Sequence, residues 1–178
     1  MKKYFILYRP FLVFLAKFFL TYLVLSLVYQ GFLYRFSQHS VDAITQFVAA
    51  NTVQMLKFFG LDFDNQVMPD ASFVMLFYKQ QPIARMIEGC NAISVIILFV
   101  SFVVAFSGKL KATLLFILGG SVLIYILNLV RIALLCLALY HFPEQQELLH
   151  TIIFPLFIYG VVFLLWVIWV NKFSLYAK

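Results

Sequence analysis

The sequence predicts an all-α integral membrane protein: four transmembrane helices, with a small outer insertion between the first and the second. Three observations carry this. Of 178 residues, 65% are apolar and only 11% charged, with a mean hydropathy of +1.00, whereas a soluble domain is about a quarter charged and roughly half apolar. A chain of ~150 residues still exposes about a third of its unfolded surface when folded, so this much apolar surface excludes the soluble globular and disordered classes. The 22 Phe and 10 Tyr suit a lipid-facing surface. Third, the charges are segregated: all seven acidic residues fall in two segments between hydrophobic runs.

The elements follow in order. Phe11–Leu33 is the first run able to cross ~30 Å of hydrocarbon, with Lys17 near its start and able to snorkel. It resembles a secretory signal, but it is long and Leu25–Phe36 offers no small-residue cleavage site, which predicts an uncleaved signal anchor. Residues 34–88 form the outer insertion. In it Val41, Ile44, Val48, Val53, Met55, Leu56 and Phe59 recur at helical spacing, predicting an amphipathic helix on the outer surface that Gly60 ends. Asp62–Val67 and Ser72–Tyr78 read as two short strands joined by Met68-Pro69-Asp70. The second span runs Cys90–Phe106, ahead of the Lys109 and Lys111 turn. The third is Ala112–Tyr140 and the fourth His150–Val170, with a short acidic loop, His141–Leu149, between them. The chain thus divides into residues 1–33 (cytoplasmic N-terminus and first helix), 34–88 (outer insertion with amphipathic helix) and 89–178 (a core of three helices).

Orientation comes from the basic residues. Lys2, Lys3, Arg9, Lys17, Lys109, Lys111, Lys172 and Lys178 all fall where four spans put the inside, as the positive-inside rule requires. Asp42, Asp62, Asp64, Asp70, Glu88, Glu144 and Glu147 all fall outside. The expectation is a multi-pass membrane protein, with the lipid bilayer as a partner and no nucleic acid.

Ionisable residues within a span are costly, so each is a functional hypothesis. Arg131 interrupts Val122–Tyr140 together with Asn128, three residues earlier and on the same helical face. Cys90 precedes Gly108 by 18 residues, Arg131 follows Lys111 by 20 and His150 precedes Asn171 by 21. At ~1.5 Å per residue, all three lie roughly 27–32 Å from the inner edge. A thiol, a guanidinium and an imidazole at one depth have a joint chemistry: a cation lowers a thiol's pKa, His moves protons and Arg stabilises an oxyanion. Other catalytic classes lack their parts. No CxxC serves a thiol oxidase or zinc site, no GxSG a rhomboid-type serine protease and no HExxH a metalloprotease. The Asp residues, all in the first outer segment, do not suit an aspartate peptidase either.

Glu88-Gly89-Cys90-Asn91 opening a helix, then Asn128-Leu129-Val130-Arg131, then Leu149-His150 opening the last helix, resembles the exosortase/archaeosortase family. The short length and the Glu-Gly-Cys-Asn-Ala form resemble its F-type subgroup (XrtF). Gly89-Cys90-Asn91-Ala92 departs from the family's usual Ala-Cys-Ser/Thr-Gly. The resemblance implies a membrane-embedded cysteine protease or transpeptidase, a hydrolase of protein sorting at the cell surface. It implies Cys90 as nucleophile, His150 as proton-transfer residue and Arg131 as electrostatic stabiliser, with Asn128, Glu88 and Asn91 in support. Its client is a C-terminal sorting signal made of a short motif, a transmembrane helix and a basic tail, with room for an accessory membrane protein. It implies no metal or organic cofactor.

Structural roles compete with each of these. Cys90 has the inert role of an apolar filler; so has Cys136, and a Cys90–Cys136 disulfide would abolish a thiol mechanism. His150 and His141 both suit interfacial anchors, His39 a solvated surface and Arg85 a headgroup contact. Glu88 would point away from Cys90 on a helix but in a loop reaches Arg85, Arg131 or His150. The rival reading of the whole is a non-catalytic scaffold that binds another transmembrane helix through Arg131 and Asn128.

Overall fold

The computed structural model describes residues 2–36, 40–69, 71–106 and 108–174, with side chains from residue 8 onward. His39, Asp70, Ser107 and Lys178 lie outside the described residues, as do the side chains of Lys2 and Lys3. Three long helices dominate: α1 (Lys2–Leu33), α4 (Leu110–His141) and the helical segment α5 (Pro143–Phe173). Tyr8–Leu33 of α1, α4 and α5 are long and apolar enough to cross a membrane.

The second expected span is different. Helix α3, Ile93–Ala105, has only 13 residues, about 20 Å of rise. Glu88–Cys90 is a separate 3₁₀ turn, and Ala92 takes the left-handed conformation (φ 64°) where the helix would have continued. The apolar run from Cys90 is real, but its first residues are spent on this turn. The fourth span, expected from His150, instead begins at Pro143, whose fixed φ suits a first helical position. The acidic segment after His141 is therefore mostly helical, and a π-helical turn, Leu149–Ile153, leads into the α-helical part, Phe154–Ile168.

Between α1 and α3 lie α2 (Ala43–Phe58) and a three-stranded antiparallel sheet: β1 (Phe63–Val67), β2 (Val74–Tyr78) and β3 (Gln81–Met86), in that order. Asp42 starts α2 by accepting the Thr45 N–H at 2.9 Å. Strand β3 was not expected from the sequence, because Pro82 interrupts any alternating pattern; it is an edge strand, where proline is tolerated. It pairs with β2 through the two-residue turn Lys79-Gln80, both at positive φ as a type I′ hairpin requires. The apolar face of α2, expected on the membrane surface, packs within the protein. Val48, Ala49, Val53 and Leu56 join Phe63, Val74, Leu76 and Met86 of the sheet and Leu129, Ile132 and Cys136 of α4 in one buried cluster.

A second cluster joins α3, α4 and α5 through Phe99, Val103, Ile124, Ile158 and Trp169. Trp169 Nε1 donates to the Phe106 carbonyl at 3.2 Å, and Gly108 bridges Ser174, so the α3–α4 turn and the end of α5 meet at the pole opposite the sheet. Helix α1 lies along α3, with the Phe14 ring 4.6 Å from that of Phe106.

Helix α4 approaches α3 closely at Gly120, where an added Cβ would collide with the buried Phe99 ring; at Gly119 it would meet open space. Gly120→Ala is expected to cost about 1–3 kcal/mol by overpacking. Gly119→Ala should be neutral or stabilising, since alanine is the better helix former. Thermal unfolding of both purified variants in detergent tests this, and equal midpoints would contradict the close crossing.

Candidate active site

The site is built around the Glu88–Cys90 turn. Ile87 is still extended, Cys90 N–H donates to the Ile87 carbonyl at 2.9 Å, and the chain then reverses through Ala92 into α3. The left-handed region costs an L-residue roughly 1–2 kcal/mol. The cost is offset by Asn91, which is 1% exposed. Its Nδ2 donates to the Tyr29 hydroxyl (2.8 Å) and to Thr45 Oγ1 (3.2 Å), and its Oδ1 accepts the Ile93 N–H (3.0 Å) that opens α3. Thr45 is free to accept because its own proton goes to Asp42 Oδ2 at 2.6 Å. One buried amide thus ties α1, α2 and α3 together beside Cys90.

Losing Asn91 leaves buried hydrogen-bonding groups unmet. Asn91→Ala is expected to destabilise the protein by about 2–3 kcal/mol. The check is the thermal midpoint of the purified variant, and an unchanged midpoint would remove Asn91 from its positioning role.

On its other side the turn meets α4. Cys90 is half-buried, packed at the edge of the cluster that contains Leu129, Ile132 and Cys136. Its carbonyl accepts from Asn128 Nδ2 at 2.8 Å, and Asn128 Oδ1 in turn accepts from Arg131 Nη1 at 3.4 Å. Asn128 is fully buried. Cys90, Asn128 and Arg131 therefore form one chain of contacts. Within it Arg131 is under-satisfied: its long bond to Asn128 engages one of five guanidinium donors, and its buried Nε meets no acceptor among the described residues. An unmet donor costs about 1–3 kcal/mol, more when charged.

His150 sits apart from this chain. It is exposed on the π-helical turn, which is a frequent mark of functional sites, and makes no hydrogen bond among the described residues. It lines a cleft of about 530 Å³ with Ala84, Arg85, Leu135, Leu139 and Gln146. Leu135 is one turn from Arg131 on the same face of α4. The structure thus joins Cys90 to Arg131 and puts His150 in a neighbouring cleft, without a direct bond to either. Arg85, read from sequence as a headgroup contact, shares that cleft from β3, with its guanidinium 5.3 Å from the Phe73 ring. The sequence signal for it was only a cation five residues before Cys90.

Glu88 faces the opposite way, toward α1, and makes no ion pair with Arg85, Arg131 or His150 among the described residues. His141 is exposed at the end of α4, against the Tyr140 ring. Cys136 is fully buried, and both cysteines are free thiols.

Compared with models of known protein families, residues 5–170 match that of the transmembrane exosortases (Exosortase_EpsH). No curated protein and no solved structure matches the chain.

Proposed function

Since this chain belongs to the transmembrane exosortase family, we propose that it is a membrane-embedded cysteine peptidase or transpeptidase of the short F-type, acting on C-terminal sorting signals of exported proteins. The observation that carries this reading is the Cys90–Asn128–Arg131 chain, which ends in a guanidinium with donors to spare. Such donors, linked through Asn128 to the backbone of Cys90, suit an oxygen that becomes negative only during reaction.

In this reading α3 completes a bundle of four spans, lying with the bacterial cytoplasmic membrane around it. The turn, the sheet and the start of α5 face the periplasm; Lys109, Lys111 and Lys172 face the cytoplasm. The client's transmembrane helix docks laterally and lays its motif across Cys90. The Cys90 thiolate adds to the scissile carbonyl, and Arg131 donates to the resulting oxyanion. Collapse breaks the C–N bond, His150 gives its proton to the leaving amine, and the acyl group stays on Cys90 as a thioester. His150 then takes a proton from water or an acceptor, whose attack on the thioester releases the Cys90 thiolate and restores the starting state. The separation of His150 from Cys90 suits a site closed by its client, since catalytic hydrogen bonds are often long before substrate binds.

Terminal-peptide mass spectrometry on cells carrying wild-type or Cys90→Ala protein tests the reading. Surface proteins that keep their C-terminal hydrophobic tails only in the variant would establish the enzyme and identify its clients. Identical processing in both would move the helix-binding scaffold ahead.

A further inference from the structure

The Glu88–Cys90 turn separates two clefts of opposite charge. On the α4–α5 side stand Arg85 and His150. On the α1 side is a cleft of about 240 Å³, lined by Tyr22, Ser26, Tyr29, Gln30, Glu88 and Ser94 and bordered by Gly89, the residue next to Cys90. Four of these polar residues come from α1 at positions i, i+4, i+7 and i+8, a polar stripe in a helix otherwise fit for lipid. Tyr29 is tied to Asn91, and the other three are polar groups that this face of the span presents to the cleft.

The chemistry of this second cleft selects its occupant. Glu88 is the one charge on its wall, exposed and in no hydrogen bond or ion pair through its side chain among the described residues. Tyr29 accepts from Asn91 and keeps its own proton to give. The Tyr22 and Tyr29 side chains line the cleft, and aromatic rings attract cations. A volume below the ~300 Å³ at which drug-sized ligand pockets begin suits one long side chain and not a helix. An acidic occupant would be repelled by Glu88; a long basic side chain meets it and can rest its methylene stem on Leu33 and Ile97, which also line the cleft.

We propose that this cleft is a side-chain subsite for an alkylammonium or guanidinium group, carried by the peptide close to the bond presented to Cys90, with Glu88 as its counter-charge. The inference rests on the cysteine peptidase reading and adds a direction to it. A chain crossing Cys90 places a basic residue toward α1 and leaves Arg85 and His150 on the other side.

The test uses the full chain in lipid nanodiscs and short peptides bearing a vinyl sulfone, which captures a reactive thiol. Each peptide carries Lys, norleucine or Glu at one position, on either side of the electrophile. Labelling of Cys90 is followed by mass spectrometry, with Cys90→Ala as the blank. The expected result is that the Lys peptide labels about tenfold faster than norleucine, as a hydrogen bond to a charged group allows. Glu88→Gln should erase the preference and Glu88→Lys should turn it toward the Glu peptide. The side on which the preference appears identifies which flank enters the cleft. Equal labelling by all peptides, or a Lys preference that survives Glu88→Gln, overturns the subsite while leaving the nucleophile in place. Absence of any Cys90 labelling overturns both.

Discussion

Cys90→Ala is expected to reduce client processing by a factor on the order of 10⁴–10⁶, the usual scale for deleting a catalytic nucleophile, without unfolding the protein. The second half of this expectation comes from the geometry. Asn128 holds the backbone carbonyl of Cys90 and not its thiol, so the anchor to α4 survives the substitution. The neighbouring anchor at Asn91 involves no atom of Cys90 either. Cys90→Ser sharpens the test, since a hydroxyl is not ionised near neutral pH and is a weak nucleophile without a dedicated base; it should be nearly as inactive. Cys136→Ala is the contrast: fully buried, it should cost about 1–2 kcal/mol of packing and leave processing intact. Cleavage of a client in reconstituted membranes, measured beside thermal midpoints, separates these outcomes. A Cys90→Ala protein that still cleaves would end the cysteine mechanism.

Arg131→Lys is expected to lower the cleavage rate about 10²–10³-fold, the typical loss of one oxyanion donor. Lysine keeps the charge but presents it as a point, with neither the Nε donor nor the planar fork. A scaffold that only needs a cation would tolerate the change, so activity near wild type in Arg131→Lys would favour that reading. Asn128→Leu removes the relay between Cys90 and Arg131 and should be severe by itself. Because both substitutions act on one chain of contacts, the double variant should be less impaired than the product of the single losses. Full multiplicativity in the same cleavage assay would show that the two residues act separately.

The long helices were legible because an apolar run longer than the hydrocarbon is thick has few alternatives. Helix α2 was legible from its 3.6-residue period; the Asp42 cap at its start was seen only in the structure. Strand β3 was not, since Pro82 and the charged Arg85 hide an edge strand that only its pairing with β2 reveals. The short α3 was hidden for a different reason: hydropathy is blind to one residue at positive φ, and Ala92 gives no turn signal of the kind a glycine would. Arg131 and Asn128 stood out as polar groups inside an apolar run, and Cys90 and His150 as reactive groups at the starts of two others. Their partners did not.

What the sequence determined alone was the membrane class and the long helices, because these depend on composition and on distance along one helix. What only the tertiary structure decided was which polar group meets which. Asn128 reaches Cys90 across 38 residues of sequence, and Asn91 reaches Tyr29 across 62. Glu88 turns to α1 and away from the arginines, and Arg85 joins the His150 cleft from a strand. These choices depend on how each helix is rotated about its axis and on where the chain between helices folds back. Packing sets both, since a buried polar group must find a partner wherever the apolar surfaces leave it.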